Sequence, residues 1–178
     1  GWHKFYSIPY TSTKKNFKKV LIVGSGTGND VATALRETKA NIDAVEIDPL
    51  VADLGVKFHP ESPYSNQRVN LVINDARNFI KETKNKYDLI VYSLLDSHAN
   101  LSSKGGVRLD SYVYTTESFF EAKKKINDDG VIFLSFAIST EEMGNKIYKM
   151  LKMNFDSDPI ILTVDHIAEK KSFTEGIY

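Results

Sequence analysis

The sequence predicts an α/β domain with a mostly parallel central sheet and helices on both faces. Three observations carry that prediction. Residues 20–23, Val-Leu-Ile-Val, are continuously aliphatic, as in a strand buried on both sides. Further strand-like runs alternate with segments that repeat apolar residues at i, i+3 and i+4. A glycine-rich turn, Gly24-Ser25-Gly26-Thr27-Gly28, separates the first run from the first such segment. Strands alternating with helices at this spacing build right-handed βαβ units. Ligands on such sheets bind beyond the C-terminal strand ends, where the strand order switches.

Each element has its own signal. A helix is expected from about Asp30, with Val31, Ala34 and Leu35 on one face. Residues 42–47 read as the second strand. Asp48-Pro49 then supplies an N-cap and a first-turn proline for a helix through Leu54 to Phe58. Residues 69–73 form the third strand, and Asp75 can cap a helix carrying Phe79 and Ile80. Residues 89–92 form the fourth, followed by a long polar stretch over 95–114 that contains Gly105-Gly106. The next helix, around 117–126, buries Phe119, Ala122 and Ile126. Asp128-Asp129-Gly130 is expected to turn the chain into a fifth strand over 131–136. Ser139 with Glu142 makes a capping box for a helix whose apolar face is Met143, Ile147, Met150 and Leu151. Residues 159–164 and 172–178 are candidate last strands.

The composition bounds the function. With 178 residues, the chain fits one domain, expected over 18–178. Residues 1–17 read as an N-terminal arm packed on that domain or as the remnant of an upstream segment. Lys plus Arg equals Asp plus Glu at 23 each, which gives no reason to expect a nucleic-acid partner. The absence of cysteine removes disulfides, thiolate metal sites and a cysteine nucleophile. His3, His59 and His166 show no metal-ligand spacing, and no metal is expected. No apolar run reaches the length a membrane helix needs, and the N-terminus does not read as a signal peptide. The lysine-rich stretches at 14–15, 18–19 and 123–125 read as solvated faces.

The glycine turn falls where a nucleotide-binding mechanism needs it, between strand and helix. A dinucleotide fingerprint wants glycine or alanine where Asn29 stands. The G-x-G-x-G spacing instead suits a Rossmann-like class I methyltransferase fold, whose S-adenosylmethionine has no pyrophosphate to cradle. A tight turn without a ligand is the alternative. Glu46 ends the second strand, where a carboxylate can accept from both ribose hydroxyls. Asp48 reads as a helix cap. Asp75 with the Ala76 N–H can read an adenine edge, cap the helix, or do both.

Several of these segments together resemble the polyamine aminopropyltransferases, the spermidine and spermine synthases. They are residues 20–28, Val45-Glu46-Ile47-Asp48, Arg68-Val69-Asn70, Asn74-Asp75-Ala76-Arg77 and Tyr87-Asp88-Leu89-Ile90. Tyr114-Thr115-Thr116-Glu117-Ser118-Phe119-Phe120 and Asp129-Gly130-Val131 continue the match, which covers about 18–137. Leu94-Leu95-Asp96-Ser97-His98 resembles a bacterial spermidine-synthase-like group whose domain is often attached to membrane-spanning helices. The resemblance implies a site for S-adenosylmethionine or its decarboxylated form, built by Gly24, Ser25, Gly26, Thr27, Gly28, Glu46, Ile47, Asp75, Ala76 and Ser93. It implies a transferase of polyamine biosynthesis with a small amine acceptor. It further implies a cytoplasmic location, free or as the cytoplasmic domain of a membrane protein, and homo-oligomers.

Two positions depart from the family pattern. Its first loop reads G-G-G-D-G-G, and Thr27 replaces that acid. Its D-S-S-D-P after the fourth strand becomes Ser93 to Asp96, with only the second acid kept. The family's small β-rich N-terminal domain is also not in this sequence. These departures weigh against ordinary spermidine synthesis. Asp96 is the first candidate to bind or deprotonate an amine, against a solvated loop aspartate. His98 is a candidate near-neutral base, against an incidental loop residue. Tyr114, with Asp110 and Tyr112, either lines an acceptor pocket or covers the sheet edge. Lys104-Gly105-Gly106 suggests a lid. The leading reading is alkyl transfer to a small amine. The alternatives are an S-adenosylmethionine-dependent methyltransferase, against which Ile22 counts, and a non-catalytic nucleotide sensor.

Overall fold

A computed structural model of the chain describes residues 2–13, 16–94, 113–138, 140–155, 157–165 and 174–177. The elements are α1 (Trp2–Thr11), β1 (Lys19–Val23), α2 (Asn29–Glu37), β2 (Asn41–Glu46) and α3 (Pro49–Phe58). A 3-10 turn (Pro63–Ser65), β3 (Val69–Ile73), α4 (Ala76–Glu82) and β4 (Tyr87–Tyr92) follow. The last are α5 (Thr116–Lys125), β5 (Ile126–Ile138), α6 (Glu141–Asn154), β6 (Leu162–Asp165) and β7 (Thr174–Ile177).

Among the described residues the sheet has seven strands in the order β3-β2-β1-β4-β5-β7-β6. The first five run parallel, while β7 lies antiparallel to both β5 and β6. The chain therefore winds outward from β1 to β3, crosses to β4 and winds the other way. That reversal leaves a crevice between the C-terminal ends of β1 and β4, the place where such sheets take ligands.

The aliphatic run of β1 is uninterrupted because both of its faces are covered. Val20 and Ile22 pack with Leu89, Val91, Ile42 and Ala44, under Val31 and Ala34 of α2 and Phe5 and Tyr10 of α1. Leu21 and Val23 face the other way, onto Ile90, Tyr92, Ile80 of α4, Phe119 of α5, and Ile147 and Leu151 of α6. Buried polar groups fasten strands to one another. Asp43 accepts from Lys19 Nζ at 2.9 Å, Tyr87 OH at 2.8 Å and Asn85 Nδ2 at 3.1 Å, and from Asn70 Nδ2 at 3.1 Å. Burial pushes this carboxyl up, but those donors and the Lys19 charge outweigh it and hold it below the ordinary range.

Most expected elements form with small shifts in their ends, and three differ in kind. The N-terminal arm is a helix rather than a loose stretch of chain, and it packs on the domain with Phe5 and Tyr10 only 8% and 7% exposed. Asp128-Asp129-Gly130 makes no turn before the fifth strand. Ile126 already pairs with Tyr87, and the chain bulges until Val131 meets Leu89. Asp88 holds the bulge by accepting from Asn127 Nδ2 at 2.7 Å. The cap of α6 is Thr140, whose hydroxyl accepts from Met143 N, one residue later than Ser139. Ser139 itself lies outside the described residues, as do 1, 14–15, 95–112, 156, 166–173 and 178. Among the described residues no helix is long and apolar enough to cross a membrane.

Candidate functional site

Strand β1 delivers the glycine turn to the crevice. Gly24, Gly26 and Gly28 take φ values of 72°, 56° and 105°, a left-handed path that side chains disfavour. The Gly24 and Ser25 N–H groups both donate to the Val45 carbonyl at 2.9 Å, which ties the turn to β2. The Tyr64 hydroxyl donates to the Gly26 carbonyl at 2.7 Å and lies 2.9 Å from Ser25 Oγ. Burial pushes that phenol up to about 12, with the Glu46 and Asp30 charges adding to it. From behind, α3 closes on the turn through Gly55, where an added Cβ would sit 2.4 Å from the Thr27 carbonyl oxygen. Gly26 is the opposite case: a Cβ there would meet nothing within 4 Å. The outer surface of the turn is open at that point.

Glu46 is 8% exposed and lies beneath the turn. Its Oε2 accepts from Gly26 N at 2.8 Å and its Oε1 from Asp48 N at 2.9 Å. A carboxylate offers about four lone-pair positions, so two remain for a ligand's paired hydroxyls. Asp48 caps α3 by accepting from Leu50 N, as the sequence suggests. Asp75 Oδ1 accepts from Arg77 N at 2.9 Å and Asn78 N at 3.0 Å, which makes it the cap of α4. At 40% side-chain exposure it also keeps one oxygen toward solvent. Ala76 is 9% exposed, whereas Ile47 and Ile73 stand 48% and 47% exposed at the adjoining ends of β2 and β3. Ile47 is a candidate from the sequence, whereas Ile73, which supplies a second apolar wall, carries no local signal beyond its place in a strand. An open glycine turn, a buried ribose-type acceptor, a partly exposed acid and two apolar walls suit an adenosine-bearing nucleotide.

Ser93 follows β4 at the crevice, its N–H donating to the Val23 carbonyl at 3.1 Å. Its Oγ is buried and makes no hydrogen bond of ordinary geometry. The Asp30 carboxyl, on the first turn of α2, stands close to it. Burial pushes Asp30 up to about 6, and the Ser93 hydroxyl pulls the other way. The sequence treated Asp30 only as the start of a helix, because an acid there is ordinary helix chemistry. Tyr114 is partly buried, and its hydroxyl donates to the Ser93 carbonyl at 3.2 Å and lies 3.4 Å from the Ser135 carbonyl oxygen. It thus joins the ends of β4 and β5. Asp96, His98, Asp110, Tyr112 and Lys104-Gly105-Gly106 lie outside the described residues. No cluster of three metal-ligating side chains occurs among the described residues.

The strand order and the glycine turn define a class I, S-adenosylmethionine-type Rossmann-like fold. Solved structures agree. A spermidine synthase in complex with the transition-state analogue AdoDATO matches with a TM-score of 0.75 at 19% identity, over 99% of this chain and 59% of that one. Human methyltransferase-like protein 13 in complex with SAH matches at 0.62 and 18%, over 97% and 74%. The spermine/spermidine synthase domain model matches residues 7–171, and the chain belongs to that family. Among curated relatives, the polyamine aminopropyltransferase of Sulfurisphaera tokodaii is 32% identical over 162 residues, 86% of this chain and 50% of the relative. That of Buchnera aphidicola is 31% identical over 146 residues, 79% and 48%. The chain thus spans about half the length of these relatives.

Proposed function

We propose that the chain is the nucleotide-binding domain of an aminopropyltransferase-type enzyme, taking decarboxylated S-adenosylmethionine and a small amine. The observation that carries this reading is Glu46, a buried carboxylate locked under an open glycine turn in a member of this family. When bound, the sulfonium nucleoside supplies a carbon whose bond to sulfur breaks as the amine nitrogen attacks, leaving a neutral thioether. The chain's own residues bind, orient and shield. Glu46 holds the ribose hydroxyls with its free lone pairs, Asp75 and the Ala76 N–H meet the adenine edge, and Ile47 and Ile73 cover its faces. Ser25, Thr27 and Ser93 line the path toward the reacting end. Asp96, His98 and Tyr114 are the proposed acceptor-side residues, with Asp96 binding the amine. The domain over 18–178, assembly into homo-oligomers and attachment to membrane-spanning segments in a cytoplasmic setting belong to this proposal as well.

The test is calorimetric binding of decarboxylated S-adenosylmethionine, S-adenosylmethionine and methylthioadenosine, followed by turnover with 1,4-diaminobutane. Binding should favour the decarboxylated form, and turnover should release methylthioadenosine. Glu46→Ala should weaken all three nucleosides by about tenfold or more, since it removes charge-assisted hydrogen bonds worth about 1.5–3 kcal/mol. Preference for intact S-adenosylmethionine with a methylated product would replace this reading by methyl transfer. Thr27 and Ser93, which stand where the family pattern has acids, are what a domain that had lost catalysis and served as a sensor would carry. Nucleoside binding without turnover on any amine would favour a sensor.

A further inference from the structure

Three polar groups converge under α1 at the β1–β4 crevice without a counterpart. Asp30 enters from the first turn of α2 and is only partly exposed. Ser93, 3% exposed, points to the same face of the sheet as Leu89 and Val91, since alternate strand residues share a face. Tyr10 descends from α1 at 7% exposure. The Ser93 Oγ and the Tyr10 hydroxyl are buried without hydrogen-bond partners among the described residues. Asp30 is close enough to Tyr10 that its charge, after burial, helps push the phenol well up. No ion pair to Asp30 occurs among the described residues. Glu37 and Glu46, whose charges also act on Tyr10 and Tyr64, are acids and offer Asp30 no compensation.

A buried carboxylate without a cation is costly, and so is a buried hydroxyl without a partner. Two buried hydroxyls without partners beside a partly exposed, desolvated carboxylate are the arrangement that a ligand completes. A primary ammonium carries one positive charge and three N–H donors, and this cluster offers one negative charge and three acceptor groups. A neutral or anionic ligand would leave the charge uncompensated. Tyr10 belongs to the same buried apolar cluster as Val91 and Ala34, which makes leaving its hydroxyl unpartnered costly.

We propose that Asp30, with the Ser93 and Tyr10 hydroxyls, is the receptor for a primary ammonium group of a ligand bound at the strand ends. It rests on the transferase reading, which admits two sources: the amine of decarboxylated S-adenosylmethionine and the amine of the acceptor. The role belongs to Asp30 on α2 and is separate from Glu46 and Asp75, which face the nucleoside.

Calorimetry on the full chain and on Asp30→Asn, with three probes, tests it. Methylthioadenosine lacks an amine, decarboxylated S-adenosylmethionine carries one, and 1,4-diaminobutane is added to the methylthioadenosine complex. In Asp30→Asn, loss of about tenfold or more for the decarboxylated nucleoside, with methylthioadenosine within about twofold, assigns the site to the nucleotide's amine. The same loss confined to the diamine assigns it to the acceptor. Ser93→Ala should weaken the same ligand by a smaller factor, about threefold, through one neutral hydrogen bond. Unchanged binding of both amines to Asp30→Asn would overturn the proposal while leaving the transferase reading intact. Equal losses for methylthioadenosine and its amine-bearing relative would overturn it too, by showing that Asp30 supports the fold alone. A wild-type chain that binds no nucleoside would overturn the transferase reading and this proposal with it.

Discussion

Asp43 and Asp30 are both withdrawn from water, and their surroundings drive them in opposite directions. Asp43 is held low by Lys19, Tyr87 and Asn70 despite its burial. Its contribution to stability is therefore present above the unfolded carboxyl value of about 4 and is lost as pH falls through the depressed folded value. Asp43→Ala should cost about 2–4 kcal/mol in urea unfolding, because Lys19 and the Tyr87 hydroxyl lose their acceptor in the core. Asp30 behaves as the reverse case. Its folded value of about 6 lies above the unfolded one, so wild-type stability should fall as pH rises from about 4 to about 6. Asp30→Asn should remove that slope and be the more stable protein at pH 7, as seen by urea unfolding across the pH range. A residue that costs stability is expected where function needs it. Glu46 was legible as a candidate because it ends the strand beside the glycine turn, where a carboxylate can accept from ribose hydroxyls. Asp30 was not, since its closeness to Ser93 and Tyr10 arises only when segments far apart in the chain pack together.

Helix α3 shows what local signals convey and what they omit. Asp48 and Pro49 mark its start, and the cap forms as read. Asp48→Ala should lower thermal stability by about 1 kcal/mol. The face it buries is not the one its large residues suggest. Leu50, Leu54 and Phe58 are 73%, 50% and 74% exposed, while Ala52 and Gly55 are buried. The small residues face inward because the backbone of the glycine turn occupies that space. Gly55→Ala, which would favour an isolated helix by about 1 kcal/mol, should instead destabilise by about 1–3 kcal/mol. It should also weaken nucleoside binding in calorimetry, since its Cβ would sit 2.4 Å from the Thr27 carbonyl oxygen. Strand β5 carries the same lesson. Asp128-Asp129-Gly130 is a turn by composition, yet pairing of Ile126 with Tyr87 makes it a bulge. Strand partners outweigh turn propensity there.

For the molecule as a whole, stability should be greatest at the centre of the sheet and least at its antiparallel edge. Residues 20–23 and 89–92 are fully buried between two helical layers. Their amides should exchange hydrogen only through global unfolding, while those of β6, at the sheet edge, should exchange earlier by local opening. Native-state hydrogen exchange checks this, and early exchange in β1 would contradict the two-layer core. The sequence by itself determined the alternation of strands and helices, the glycine turn and the caps at Asp48 and Asp75, and it singled out Glu46 as the candidate nucleotide acid. These follow from periodicity, backbone chemistry and residues adjacent in the chain. Only the tertiary structure decided that Tyr64 and Gly55 clamp the turn, that Ile73 joins Ile47, and that Asp30 comes close to Ser93 and Tyr10. Those relations span 39 residues from Ser25 to Tyr64 and longer stretches elsewhere. Desolvation and close packing between such distant segments leave no periodic trace in the sequence.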